Sequence, residues 1–309
     1  MTAPLPEERL LSAATARNRD GWLVVTYAGS SFLATLINWL IAVGRAGIDN
    51  TLVVALDRRV YDFLLARGFT TVLVEGRALK DIRIVRVRVM QFLVQHGFSV
   101  IQSDADAVWL RDPRAFFENG SASIVASEGT YWPEKAYQAW GFVLCTGLYS
   151  IRSEASTNAL LDRWLPDLHE TGSDQASLNR LLLADGVTWD TSTARPEVRQ
   201  FRERRFTSFD APISGACPGA GLSLRLLPHA LFQRAPVEAH APYVVHYLPD
   251  LAKLPETQAL TTSGSWFLAS DWKRIEFDAN TLERVAVYPK PRQRPWTQPQ
   301  VGRSRNRYA

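Results

Sequence analysis

Two carboxylates separated by one residue, Asp104 and Asp106, lie in the stretch Ser103-Asp-Ala-Asp-Ala-Val-Trp109, directly after the apolar run Phe98-Ser-Val-Ile-Gln102. Carboxylates at i and i+2 beyond a buried strand can converge on one hard cation. An oxygen-rich, thiol-free setting favours Mg²⁺ or Mn²⁺ over Zn²⁺. Held there, such an ion would neutralise a leaving diphosphate. Acidic pairs are also common in solvated turns, so the surroundings carry the weight. Here Trp109 and Leu110 follow the pair, and both are too apolar for an idle surface turn.

Other residues of chemical interest are scattered along the chain. Arg86 and Arg88 stand in an otherwise apolar helical segment, where Arg88 shares a face with Val85 and Phe92. A cation placed there needs a partner: either a diphosphate or an acid such as Asp81 or Asp104. Asp57 follows an apolar run and precedes a helical one, which suits either a ligand contact or a helix N-cap. Asp174 and Gln175 open a helical segment after Gly172-Ser173, so Asp174 is a second capping candidate.

The elements that must position these residues follow from periodicity. Strand-like apolar runs recur at 23–28, 52–56, 71–74, 99–102 and 124–126, and helical patterns at 32–45, 60–66 and 84–96 separate the first four. Strands alternating with helices predict an α/β fold with a mostly parallel, doubly wound sheet flanked by helices. Ligands bind such sheets beyond the carboxyl ends of the strands, where Thr26, Tyr27, Asp57, Asp104 and Asp106 fall. The second half is less regular. It has a strand-like 141–151, helical 154–168 and 174–184, then a Pro-, Arg- and Gly-rich stretch to Gly221. We expect an extension over 1–20, one domain over 21–288 with a nucleotide-binding half (21–120) and an irregular acceptor half (121–288), and a disordered tail over 289–309.

The chain has 309 residues, 46% of them hydrophobic, which is enough for a sizeable core. Its two cysteines, Cys145 and Cys217, form no Cys-x-x-Cys pattern and read as reduced thiols. The apolar run near the start is too short to span a bilayer, so neither signal nor integral membrane anchor is expected and the location read is cytoplasmic. The formal charge of +4 is concentrated in the tail, which carries Lys290, Arg292, Arg294, Arg303, Arg305 and Arg307 and no acid. That tail reads as a solvated extension, with docking of an acidic partner as its other reading.

The run from His96 to Pro113, centred on the Asp-x-Asp, resembles the signature of the nucleotide-diphospho-sugar transferases of glycosyltransferase family 77. Segments 32–40 and 52–57 are similar to that family's opening elements. Thr146-Gly-Leu-Tyr-Ser-Ile-Arg152, Asp174-Gln175 and Ala239-His-Ala-Pro-Tyr-Val244 are similar to its later blocks. The resemblance implies a GT-A fold, a UDP-sugar donor, Mn²⁺, retention of anomeric configuration and a hydroxyl-bearing acceptor, whether glycan, protein or small molecule. It implies transfer of galactose, xylose or arabinose without choosing among them. Carried over by residue, Asp104 contacts ribose or metal and Asp106 is the principal metal ligand. Thr26 and Tyr27 line the nucleotide pocket and Asp57 meets uracil or ribose. Arg88 is the preferred arginine for the diphosphate. Asp174 holds sugar hydroxyls while Gln175 lies near the anomeric carbon. His246 is preferred over His240 as third metal ligand, with Lys253 on the diphosphate. The family's Asn-x-Gly is Cys145-Thr-Gly147 here, so either Thr146 takes over that sugar contact or sugar preference changes.

Two other classes compete. Asp-x-Asp-x-Val after a strand also resembles the first motif of haloacid-dehalogenase-like phosphatases, with Asp104 as nucleophile. That fold normally places this Asp after its first strand and adds a later acidic pair, and neither is seen here. A non-catalytic sugar-nucleotide-binding module is the other reading.

Overall fold

The computed structural model describes residues 4–75, 79–201, 203–234, 241–246 and 256–287. The chain opens with α1 (Glu7–Arg17), whose Leu10 and Ala14 are buried, so the segment expected as an extension is packed onto the domain. Four strands follow, β1 (Trp22–Ala28), β2 (Thr51–Ala55), β3 (Thr71–Leu73) and β4 (Ser99–Ser103), separated by α2 (Leu33–Arg45), α3 (Arg58–Leu65) and α4 (Leu79–Gln95). Every residue of β1 and β4 is buried, as near-continuous apolar strands covered on both faces must be.

Beyond β4 come β5 (Val108–Trp109), α5 (Arg114–Glu118), β6 (Ile124–Glu128), α6 (Glu134–Trp140), β7 (Leu144–Ile151), α7 (Ala155–Thr171) and α8 (Asp174–Ala184). The stretch read as irregular holds five strands: β8 (Thr188–Asp190), β9 (Pro196–Phe201), β10 (Arg204–Phe209), β11 (Ile213–Cys217) and β12 (Leu222–Leu227). Two short strands, β13 (Phe232–Gln233) and β14 (Val244–Val245), and α9 (Glu256–Thr262) complete the elements.

The main sheet has nine strands in the order β3-β2-β1-β4-β7-β6-β12-β11-β8. Its first four run parallel, β6 and β12 pair in parallel, and only β7 and β11 are antiparallel to their neighbours, so seven of nine strands share one direction. The expected α/β class with a mostly parallel sheet is therefore observed. Alternation along β1 divides the core. Leu23, Val25 and Tyr27 face the side covered by α1, α4, α7 and α8, whereas Trp22, Val24 and Ala28 face α2 and the C-terminal segment. Asn38, a polar residue in the apolar α2, is explained by its bonds: its amide donates to Ser265 O at 3.1 Å and accepts from Phe267 N at 2.5 Å, fastening the C-terminal segment to the helix. A separate hairpin, β9 with β10, lies apart from the main sheet, and β13, β14 and β5 form a third, three-stranded sheet. No helix among the described residues is long and apolar enough to cross a membrane.

Candidate active site

The Asp-x-Asp sits where β4 gives way to a turn, and that turn is pinned from several sides. Ser103, the last residue of β4, accepts indole N–H bonds from Trp39 of α2 and Trp109 of β5, each at 3.1 Å. The two indoles meet edge to face, 6.3 Å between centroids. Asp104 N donates to Gly147 O on the neighbouring β7 at 2.7 Å, and Ala107 N closes the turn onto Asp104 O at 3.0 Å. These bonds fix the backbone before any ligand is considered, which is what precise placement of donors requires.

The small sheet supplies the third donor. β14 runs antiparallel to β5, with Val245 opposite Val108 and Val244 opposite Trp109. Continuing that register by one residue carries His246 alongside the turn. Its main chain is held at both ends, the N–H by Gln233 O at 2.8 Å and the carbonyl by Arg234 Nη1 at 2.8 Å. The imidazole Nε2 lies 3.2 Å from Asp106 Oδ1 and 3.8 Å from Asp104 Oδ2. One donor atom from each of Asp104, Asp106 and His246 falls within 4.8 Å of the other two.

Gly147 makes this convergence possible. A Cβ there would stand 2.1 Å from His246 Cε1 and 2.6 Å from Asp104 Oδ2, so the cradle exists only because the residue has no side chain. Beside it, Cys145 Sγ lies 3.9 Å from His246 Nδ1 and accepts the Gly147 N–H at 3.3 Å.

Arg86 of α4 joins the two acidic parts of the site. Its Nη2 is 2.9 Å from Asp104 Oδ1 and 2.6 Å from Thr146 O, and its Nη1 is 3.3 Å from Asp174 Oδ2. Of the two arginines considered from sequence, Arg86 makes the ion pairs to these carboxylates, the salt-bridge reading of that residue. Two residues on a helix are about 200° apart, so one of the pair can face the strand ends while the other turns away. Gln102 also donates to Asp104 Oδ1, at 3.1 Å.

Electrostatics bind these groups together. Burial raises the pKa of Asp104, against the opposing charge of Arg86, and Asp106 raises it further. Burial acts upward on Asp106 too, but the His246 and Arg234 charges outweigh it and hold that carboxyl below its ordinary range. For His246, burial and Arg234 favour the neutral ring, yet Asp106 wins and pushes the imidazole up to about 9. Two partly exposed carboxylates and one buried imidazole thus converge, with Asp106 favouring the charged form of His246. That donor set fits a divalent cation, which Asp104, Asp106 and His246 would hold.

The remaining expected residues take the following places. Thr146 and Gly147 lie on β7 against Arg86 and Asp104. Ser173, not Asp174, is the N-cap of α8, accepting from Ala176 N at 3.3 Å, which leaves Asp174 as the first helical residue with its carboxylate on Arg86. Gln175 Nε2 donates to Trp132 O at 2.7 Å, and its Oε1 lies 3.4 Å from Thr146 N. Tyr27 is buried, its hydroxyl donating to Arg86 O at 3.4 Å, and Thr26 is wholly buried beside it. Asp57 caps α3: Oδ1 accepts from Val60 N at 2.9 Å and Oδ2 from Ser30 N at 2.5 Å, so of its two readings the cap is the one that geometry supplies. Lys253, His240 and the basic tail lie outside the described residues. Sequence reasoning missed Arg234 and Gln102 as neighbours of the site; each stands where an apolar run ends, the one signal available.

With this geometry in place, similarities to known proteins become informative. The profile of the nucleotide-diphospho-sugar transferase family matches residues 46–248. Among curated proteins of Arabidopsis thaliana, beta-arabinofuranosyltransferase RAY1 is 25% identical over 222 residues, covering 65% of this chain and 41% of that protein. Arabinosyltransferase XEG113 is 20% identical over 203 residues, covering 60% of this chain and 29% of that one. The chain thus spans less than half the length of these relatives. Among solved structures, galactosyltransferase LgtC in complex with donor and acceptor sugar analogues shows 11% identity and a TM-score of 0.47, over 81% of this chain and 99% of that one. Glycosyltransferase GlyE of Streptococcus pneumoniae TIGR4 shows 13% identity and a TM-score of 0.49, over 86% of this chain and 63% of that one.

Proposed function

The chain belongs to the nucleotide-diphospho-sugar transferase family, and on that premise we propose that it is a glycosyltransferase that moves a sugar from a nucleotide-sugar to a hydroxyl acceptor, with a divalent cation held by Asp104, Asp106 and His246. The observation that carries this reading is the convergence of those three side chains at the carboxyl end of β4, with Arg86 bridging Asp104 to Asp174. UDP-sugar as donor, Mn²⁺ as the cation and retention of configuration complete the proposal. Similarity to two arabinosyltransferases supports arabinose within the galactose, xylose and arabinose set.

The chain's own residues divide the work. Asp104 and Asp106 hold the cation with His246, and the bound ion supplies positive charge against the leaving diphosphate. Arg86, a permanent cation fixed between two acids, orients Asp104 toward the cation and Asp174 toward the donor sugar. Asp174 keeps lone pairs for sugar hydroxyls beyond those that meet the Arg86 guanidinium and the Gln175 N–H. Gln175, tethered to Trp132 O and Thr146 N, presents its amide beside the anomeric carbon. The acceptor hydroxyl attacks from the face the diphosphate leaves, and its proton departs with the leaving phosphate oxygen.

Incubation with a panel of nucleotide-sugars, Mn²⁺ and water tests the reading: slow release of UDP supports it, and release of phosphate from simple monoesters would point to a phosphatase instead. Binding of nucleotide-sugars without turnover, with or without candidate acceptors, would favour a non-catalytic binding module.

A further inference from the structure

Three aromatic residues, Trp132, Tyr137 and Trp140, stand on and before α6, and the structure separates them by environment. Trp140 is packed against Phe142 and Trp189, and Tyr137 spends its hydroxyl on Arg205 O at 2.6 Å. Trp132 is different. The residue is 48% exposed and makes no aromatic contact among the described residues, while its carbonyl accepts from Gln175 Nε2. An exposed indole tied by its own backbone to the residue beside the reacting carbon is placed for the acceptor rather than for the core.

The β9–β10 hairpin adds charge to that place. Arg195 pairs with Asp210 and Arg199 with Glu197, so those cations are neutralised within the hairpin region. Arg204 and Arg205, both exposed, have no ion-pair partner among the described residues. The Arg204 guanidinium lies 4.9 Å from the ring centroid of Tyr131, the residue next to Trp132. A planar guanidinium stacked on an aromatic ring keeps its N–H fork free for a carboxylate. The hairpin is also joined to α6, through Thr207 N on Gly141 O at 2.8 Å and Tyr137 Oη on Arg205 O at 2.6 Å.

Resting on the transfer reading above, we infer that Trp132, Tyr131 and Arg204 form an acceptor subsite for a saccharide bearing a carboxylate, a uronic acid residue stacked on Trp132 with its carboxylate on Arg204. A neutral sugar would use the stack but leave the guanidinium unanswered.

The test measures direct binding, without donor, of a glucuronate-bearing oligosaccharide and its carboxyl-reduced, glucose-bearing counterpart, by calorimetry in low salt. Wild type is expected to favour the acidic ligand about fivefold, the size of one exposed ion pair, with the preference shrinking as salt is added. Arg204→Ala should erase the preference, Arg204→Lys should keep part of it, and Trp132→Ala should weaken both ligands severalfold. Equal binding of the two ligands by wild type, a preference unchanged in Arg204→Ala, or no binding of either would overturn the inference. Release of nucleotide from nucleotide-sugars by the wild type reports separately on the transfer reading, so the two can fail independently.

Discussion

Replacing Gly147 by alanine is the smallest change that tests the site. The added Cβ would meet His246 Cε1 at 2.1 Å, His246 Nδ1 at 3.0 Å and Asp104 Oδ2 at 2.6 Å. Carbon atoms in contact sit at about 3.5–4.0 Å, so the imidazole must retreat by roughly 1.4 Å or more. Little allows it. The His246 main chain is bonded on both sides, its side chain is buried, and Asp104 is held by Arg86 and Gln102. Overpacking of this kind costs about 1–3 kcal/mol in stability. A displacement of about 1 Å in a donor set lowers affinity or turnover on the order of 100-fold. Mn²⁺ titration followed by calorimetry, with thermal unfolding measured in parallel, separates the two effects. Gly44→Ala serves as control, because a Cβ there meets nothing within 4 Å and the residue lies in α2, where alanine is expected to be neutral or slightly stabilising. Near-wild-type Mn²⁺ affinity in Gly147→Ala would refute the claim that the three donors are gathered by the space this glycine leaves.

Other expectations are as direct. Asp106→Asn should abolish cation-dependent turnover while circular dichroism and the unfolding midpoint show a folded protein; turnover near the wild-type rate would remove Asp106 from the site. Arg86→Met leaves Asp104 and Asp174 without their shared cation and should cost about 3–5 kcal/mol at neutral pH, read by denaturant unfolding, with a shift under 1 kcal/mol counting against the bridge. His229 is buried, and burial followed by the Arg199 and Arg234 charges pushes its imidazole from 6.5 down to about 3. The folded state therefore keeps it neutral while the unfolded chain takes up a proton below 6.5. Its contribution is full above that pH and falls by about 1.4 kcal/mol for each unit of acidification toward 3. His229→Gln should flatten the stability profile between pH 6.5 and 4, and an unchanged slope would exclude His229 as its source. Asp57→Ala, removing the α3 cap, should lower stability by about 1 kcal/mol with nucleotide-sugar affinity unchanged if the cap is its whole role.

The first half of the fold was legible because its strands are covered on both faces and written as unbroken apolar runs; β1, β2, β3 and β4 fall within a residue or two of the expected spans. The stretch from 188 to 227 was not, for an equally physical reason. In β11, buried and exposed residues alternate as Ile213, Gly215 and Cys217 face inward, and β12 alternates Leu with Ser and Arg. Such sequences pair at a sheet edge or along one face, and their period-2 pattern is easily lost among Gly and Pro. At the site, the Asp pair announced itself by its apolar flanks. That Arg86 pairs with both Asp104 and Asp174 depends on how α4 is turned against β4 and α8, a tertiary fact that periodicity on one helix does not hold. His246 was suggested by resemblance alone; its register against β5, which brings it to Asp106, is a tertiary fact.

The paired indoles at Ser103 give the protein an optical property. Trp39 and Trp109 stand 6.3 Å apart at 75° and donate to the same hydroxyl, whose own hydrogen bond runs to the Asp104 carbonyl. Two coupled indoles at that spacing produce an exciton couplet in far-ultraviolet circular dichroism, one that depends on their mutual angle. Any shift of the Asp-x-Asp turn is thereby transmitted to a spectral band, and occupation of the cleft becomes observable without a label, a coupled enzyme or knowledge of the sugar.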